Sequence, residues 1–486
     1  MTLGHKIRNG ASKVLAGSVS AQVLQLAFGI VLARLLAPAD FGMIATISIF
    51  TGIVGYITGA GMGAALIQAK EVHSRDFHAV FTLQIGIALL IYGCFFVFAP
   101  AFGKWYATPL YADLLRVSAL NFLLRPFVNL PNAKLSREMK YGISTLVNLG
   151  VMVVTGITSI VLAYSGLGVW ALLLGGLTGN ICNAIAASIA AKWAPRLIFR
   201  ATSIRGLATY GFKVSANDFI GYLQSQMPAF LLSRFATQHD VGIYNKGASL
   251  SSSAGLALVG AAYGPLFRGL SSIQGNRDQN LYLFGRALAA VTTYALPVYI
   301  GIAWLSEPMV VLLFGEKWSE SVPVVRLLAS FGMLNILMIV SGAVIQAQNA
   351  VGREVIIQLQ GLAVLTAGIF LGMNWGVVGV AAALAGFWLF ASWRQMVLAL
   401  HCVNGNFKFI TSTLKEPLLL NAVLVLALSA GEGIRSFLYP TMSLLSYALG
   451  MIGLGGIAYI LSFLYLPLRT LESETTRWKR LFRMAV

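Results

Sequence analysis

Ala33-Arg34-Leu35-Leu36-Ala37-Pro38-Ala39-Asp40-Phe41-Gly42 is echoed, without a gap, by Ser233-Arg234-Phe235-Ala236-Thr237-Gln238-His239-Asp240-Val241-Gly242. An arginine, an aspartate six residues on and a glycine two beyond recur at one fixed offset of 200 residues. The same offset pairs Lys13-Val14 with Lys213-Val214, Leu32 with Leu232, Gly55 with Gly255 and Leu66 with Leu266. A hydrophobic chain that duplicates a helix, a charged turn and the next helix reads as the two halves of a transporter.

The surrounding composition supports a membrane setting. Of 486 residues, 58% are hydrophobic and 10% charged, and runs of about 20 apolar residues, enough to cross a bilayer, recur throughout. Fourteen spans are predicted, at 14–35, 42–66, 77–99, 112–131, 143–164, 167–191, 208–233, 241–266, 285–306, 323–347, 355–375, 377–400, 417–434 and 443–466. Polar or charged residues interrupt the fourth, seventh and tenth. Only closed secondary structure survives in lipid, and the runs lack the alternation of a barrel, so the expected class is an all-α polytopic membrane protein with about 14 transmembrane helices. The first ten residues are polar and lead into a helix without a small-residue cleavage site, so no removable signal peptide is expected.

The net charge of +18 could suggest nucleic acid, but its distribution points to orientation. With both termini taken as cytoplasmic, 24 of the 34 basic residues fall in inner segments and 8 in outer ones, while Arg125 and Lys213 lie within helices. That bias fits the positive-inside rule, and part of the excess is suited to anionic lipid head groups. Six helices separate the first helix from the seventh, so both run outward. The halves are then parallel repeats about a pseudo-twofold axis along the membrane normal, with substrate expected between them.

Little else in the chain suggests chemistry. Cys94, Cys182 and Cys402 are odd in number and have no paired spacing, which suggests neither a disulfide framework nor a metal site. His73 and His78 read as polar residues of a solvated inner loop, and metal binding is not expected of them. A membrane polymerase or glycosyltransferase needs acids, or an acid with a base, held outside the bilayer against the sugar. The longest outer connection, about 307–322, is short, and its Glu307, Glu316, Lys317 and Glu320 read as a solvated face. The inner loops hold no Gly-rich phosphate loop or nucleophile motif. A transporter without a cofactor is expected, driven by a proton or sodium gradient or by downstream consumption of its product.

Polar side chains in membrane helices are costly unless they face protein or water, and this marks the candidate site. Gln22 and Gln25 follow Lys13 in the first helix, and Asn217, Asp218 and Gln224 follow Lys213 in the seventh. Lys13 and Lys213 are expected to form a two-pronged cation site near the cytoplasmic mouth. The alternative is that each only snorkels to the interface. Arg125 lies beside Pro126 in the fourth helix, and either contacts substrate or pairs with a neighbouring helix. Asn121 and the helix amides would serve sugar hydroxyls. Asp218, well inside the seventh helix, is the candidate coupling site for a proton or sodium ion, or the counter-ion of a nearby cation. Asp40 and Asp240 begin helices and can cap free amides, with Arg34 and Arg234 across the turn. This is expected to be a structural clasp, with a gate as the alternative.

The stretch 33–42, Val241-Gly-Ile-Tyr-Asn245, Pro265-Leu-Phe267, Leu270-Ser-Ser-Ile-Gln274 and Leu313-Phe-Gly-Glu-Lys-Trp318 resemble the polysaccharide transporter family, which includes Wzx-type flippases, within the multidrug/oligosaccharidyl-lipid/polysaccharide exporter superfamily. Asn129 to Met139 resembles a loop of members that serve exopolysaccharide and colanic-acid-like pathways. The resemblance implies two six-helix lobes around a central cavity and two added C-terminal helices. The corresponding segments are 1–192, a cytoplasmic linker 193–206, 207–400, 401–466 and a basic tail 467–486. It also implies alternating access that moves a polyprenyl-diphosphate-linked oligosaccharide across the bacterial inner membrane for lipopolysaccharide or exopolysaccharide synthesis. Expected partners are that lipid-linked sugar, membrane lipids, and polysaccharide polymerase and export machinery, with no nucleic acid. Cations and amides suit a diphosphate and its sugars. An ion-coupled multidrug antiporter, which would place acids in its cavity, and a membrane polymerase are the alternatives.

Overall fold

A computed structural model describes residues 3–57, 62–63, 66–67, 73–198, 204–273, 276–439, 441–466 and 471–481. Among these the chain is helical nearly throughout. The order is α1 (Leu3–Leu35), α2 (Pro38–Ile57), α3 (Ser74–Trp105), α4 (Leu110–Arg137), α5 (Tyr141–Tyr164), α6 (Val169–Ala191), α7 (Ile204–Phe235) and α8 (Gln238–Ser272). There follow α9 (Arg277–Trp304), a short α10 (Ser306–Phe314), α11 (Val322–Ala347), α12 (Val351–Gly372), α13 (Gly376–Cys402), α14 (Phe407–Leu438), α15 (Leu444–Tyr465) and the C-terminal α16 (Glu472–Leu481).

Ten described segments are long and apolar enough to cross a membrane unaided, one of them joining α12 and α13. The chain is a multi-pass membrane protein. α4, α7 and α8 fall outside these ten. Two of the three are the interrupted fourth and seventh runs; the tenth run, α11, is apolar enough, and the eighth is described only in part. The polar part of α8 meets protein. Its Ser251 hydroxyl donates to the Val325 carbonyl of α11, and its Lys246 ammonium lies 4.3 Å from the ring centre of Phe314. A helix covered by protein does not need an apolar surface all round.

The chain divides into two compact units, Met1–Gly242 and Ile243–Val486. In the first, α1 lies on α5, α5 on α6, α4 on both α3 and α6, and α2 on α7. In the second, α12 lies on α13, α11 on both α9 and α13, α14 on α9, and α15 on α14. Three pairs, α3–α4, α4–α6 and α5–α6, thus recur as α9–α11, α11–α13 and α12–α13. The duplication seen in the residues is also a duplication of packing.

Three local expectations need correction. The stretch 129–139, read as a loop, is helical through Arg137. Pro131 removes one amide donor, but the helix continues, and the Asn132 side chain donates to the Val128 carbonyl. His78 is buried in α3, not solvated, because it stacks on Trp193 with ring centres 5.8 Å apart. α12 starts at Val351, ahead of the predicted 355, which brings Glu354 into the helix.

In the second unit, proline chemistry ties the last helices to the bundle. Pro297 interrupts α9 and cannot donate to the carbonyl four residues earlier, that of Thr293. The hydroxyl of Tyr459 on α15 donates to that carbonyl instead, and Asn421 of α14 donates to the adjacent Thr292 carbonyl. In lipid an orphaned carbonyl has no water to turn to. Tyr459→Phe is therefore expected to lower unfolding stability in detergent by about 1 kcal/mol. In a Pro297→Ala background, where the backbone amide is restored, the same change should be near neutral. Equal losses in both backgrounds would contradict the compensation.

Candidate functional site

The duplicated turns meet within the first unit. Pro38 opens α2 with its fixed backbone angle, and Asp40 reaches back to accept from the Ala37 amide at 3.0 Å. In the second copy, Asp240 accepts from the Thr237 amide at 3.0 Å and the Thr237 hydroxyl at 2.7 Å, while that hydroxyl accepts from the Asp240 amide. This is a capping box. Two residues beyond each aspartate the chains touch. A Cβ placed on Gly42 would fall on the Gln238 carbonyl and 3.0 Å from the Gly242 amide nitrogen. A Cβ placed on Gly242 would fall on the Pro38 carbonyl and 3.2 Å from the Gly42 nitrogen. Because 38 and 238 are themselves equivalent positions, the contact is reciprocal.

Side chains flank this contact. The Tyr106 and Ser233 hydroxyls are 3.0 Å apart, Arg234 lies 5.8 Å from the Trp105 ring centre, and Phe50 meets Phe230 edge-on at 5.8 Å. Deeper along α7, the Tyr222 hydroxyl lies 3.1 Å from the carbonyl oxygens of both Ser48 and Ile49 on α2. The approach is so close that a side chain at Gly52 would collide with it.

A second polar region runs along α4. Asn121, Arg125 and Asn132 are spaced by four and seven residues, and so share one stripe. Asn121 accepts from Asn180 at 2.7 Å, and Asn132 donates to Asn183 at 3.3 Å, both partners lying on α6. Arg125 donates to the Gly55 carbonyl of α2 at 2.6 Å, and Arg137 donates to the Leu66 carbonyl at 2.7 Å. Arg125 thus has the neighbouring-helix partner that the sequence reading held as its alternative. On α1, Ser18, Gln22 and Gln25 form an exposed stripe beside exposed Val19, Val23 and Leu26. The apolar face suits lipid, and the exposed amides of Gln22 and Gln25 suit water or a polar ligand.

The remaining candidates are placed as follows. Arg34 is exposed at the end of α1. Gln224 is partly buried on α7, its carbonyl deprived of one amide by Pro228. Lys13, Lys213, Asn217 and Asp218 lie on α1 and α7, but their side chains are outside the described part of the molecule. Sequence reasoning missed Asn132, Asn180, Asn183 and Tyr222. The first three were visible as amides within or beside apolar runs. Tyr222 carried no signal, since a tyrosine in such a run is ordinary.

Comparison with known proteins gives a consistent set. A family model described as "Polysaccharide biosynthesis protein" matches residues 31–323. The chain is similar to the succinoglycan biosynthesis transport protein ExoT of Rhizobium meliloti, 25% identical over 62% of this chain and 60% of that protein. It is also similar to the lipopolysaccharide biosynthesis protein WzxC of Escherichia coli, 22% identical over 69% of this chain and 68% of that one. The teichuronic acid biosynthesis protein TuaB of Bacillus subtilis is 22% identical over 78% of this chain and 83% of its own. The match to ExoT covers less than two thirds of that protein's length. Among solved structures, the lipid II flippase MurJ in an inward closed conformation aligns with a TM-score of 0.68 at 14% identity, over 97% of this chain and 99% of that one. An inward-facing multidrug resistance MATE family transporter of the MOP superfamily aligns at 0.60 and 15%, over 79% and 94%. At such identities the shared property is the fold, a polytopic helical bundle.

The reciprocal glycine contact makes a simple prediction. Gly42→Ala or Gly242→Ala forces the turns apart and should cost about 1–3 kcal/mol of unfolding stability in detergent. Gly176→Ala on α6, where a Cβ meets nothing within 4 Å, should change it by less than about 0.5 kcal/mol. Indistinguishable unfolding of all three variants would remove the contact from the account.

Proposed function

Since the chain belongs to the polysaccharide biosynthesis protein family, we propose that it is a flippase that moves a polyprenyl-diphosphate-linked oligosaccharide from the inner to the outer leaflet by alternating access. The family match over a chain with this fold is the observation that carries the reading. The curated relatives are named for succinoglycan, lipopolysaccharide and teichuronic acid biosynthesis. The exposed Ser18, Gln22 and Gln25 offer hydroxyl and amide partners that sugars use. Lys13 and Lys213 are the proposed diphosphate contacts, and a cation in a low-dielectric setting acts far more strongly than in water. Arg125 has a structural duty on Gly55 and is proposed to be only secondary in substrate contact.

The location that follows is the bacterial inner membrane with both termini cytoplasmic, as the distribution of basic residues supports. Polymerase and export machinery would then take the sugar on the outer face. A proton or sodium gradient is the proposed drive. The relative named for transport, ExoT, favours a carrier over a membrane polymerase.

The leaflet in which intermediates collect tests the reading. Cells lacking the chain should accumulate single lipid-linked repeat units on the inner leaflet, and unpolymerised units on the outer leaflet would point to a polymerase instead. Lys213→Gln at wild-type protein level should cut export at least about tenfold, the weight of about 1.4 kcal/mol. Wild-type export from that variant would take Lys213 out of the site.

A further inference from the structure

The second unit holds an acid that the flippase reading leaves unused. Glu354, in the first turn of α12, is 4% exposed. Its Oε1 accepts from the Gln346 side chain of α11 at 3.3 Å, and Gln358, one turn along its own helix, is a second side-chain partner. The Tyr263 hydroxyl of α8 donates to Gln346 Oε1 at 2.8 Å. That bond fixes the amide, because a hydroxyl donor claims the oxygen and leaves the NH2 for the carboxyl. From α13, Gln395 is equally buried. Its Oε1 and Glu354 Oε1 would lie 3.4 and 3.2 Å from a Cβ on Gly342, so the missing side chain leaves room for both.

Among the described residues, the groups facing Glu354 are three amides, with a phenol behind Gln346. The charged groups nearest in sequence on these elements act elsewhere. Arg394 of α13 donates to Gln360, and Arg353 bears on the Cys402 thiol. His401 of α13 is exposed. An ionised carboxyl shut away with neutral partners costs several kcal/mol, which favours holding a proton. The amide donor and the dipole at the start of α12 pull the other way and keep the ionised form within reach. Tyr263 also borders a cavity of about 250 Å³ between α8, α9 and α11, so the network ends at a space and not in packed side chains.

We propose that Glu354 is a proton-binding site, neutral in this arrangement, and that it couples proton movement to translocation. The proton leaves the carboxyl oxygen for water when water reaches the network, and returns from water when the network closes. This coupling role rests on the flippase reading; proton binding itself does not.

Two measurements test it separately. On purified protein without substrate, infrared difference spectra across a pH titration should show a protonated-carboxyl band that Glu354→Gln lacks and Glu354→Asp keeps. In proteoliposomes with a fluorescent polyprenyl-diphosphate disaccharide, an outside-acid gradient should accelerate wild-type translocation at least about fivefold. Glu354→Gln, which preserves size and amide bonding, should translocate without a gradient as wild type does but lose that acceleration. An unchanged infrared band in Glu354→Gln would overturn the site. An unchanged acceleration, or a wild-type response that follows sodium instead, would overturn its coupling role. No translocation by wild type at all would overturn the flippase reading while leaving the infrared result to decide on the proton site.

Discussion

Gly42 and Gly242 touch peptide to peptide, each beneath the other repeat's helix start, and that contact sets how closely α2 and the α7–α8 turn can approach. No side chain other than hydrogen fits there. Around it the capped turns are made rigid by Asp40 and Asp240, so the contacting backbones are presented in one geometry. Contact of this kind is tight without being strongly cohesive. Each pair of touching atoms contributes only about 0.1–0.2 kcal/mol, and the Tyr106–Ser233 bond and the Arg234–Trp105 contact add modest polar terms. Such a surface can hold and still part, as the proposed alternating access requires.

The second constraint is that polar groups in a bilayer must find partners inside the protein. It explains why α4 and α7, the helices of the interrupted fourth and seventh runs, and the polar part of α8 carry side-chain bonds to their neighbours. Asn121 and Asn132 bond α6, Arg125 bonds the Gly55 carbonyl, Tyr222 bonds α2 and Ser251 bonds α11. It also explains why α15 is anchored where Pro297 has released a carbonyl. The same rule bears on Gln22 and Gln25, which are exposed among the described residues. Polarity that the protein leaves uncovered is polarity available to a ligand.

Most of the architecture was legible in the residues because it is local. Apolar run length places fourteen spanning helices, and the 200-residue repeat announces a duplicated packing pattern that recurs as α3–α4 and α9–α11, α4–α6 and α11–α13. What failed depended on partners that periodicity does not report. The 129–139 stretch reads as a loop from its family resemblance, yet it stays helical through Arg137. His78 reads as solvated because Trp193, which covers it, is 115 positions away in the chain. Glu354 falls one residue before the predicted 355–375 span, whereas amides from α11 and α13 bury it. The aspartates of the repeat were legible as caps from position alone; the glycine contact beyond them needed coordinates.

The proposed alternating access can be tested at the turns of the two repeats, which meet in this structure. In a variant with Cys94, Cys182 and Cys402 replaced, spin labels at positions Ala37 and Ala236 report their separation directly. The account predicts one short distance in the resting protein and a second, longer population when a polyprenyl-diphosphate oligosaccharide is added. A single unchanged distance, with and without that lipid, in protein shown to bind it, would contradict it.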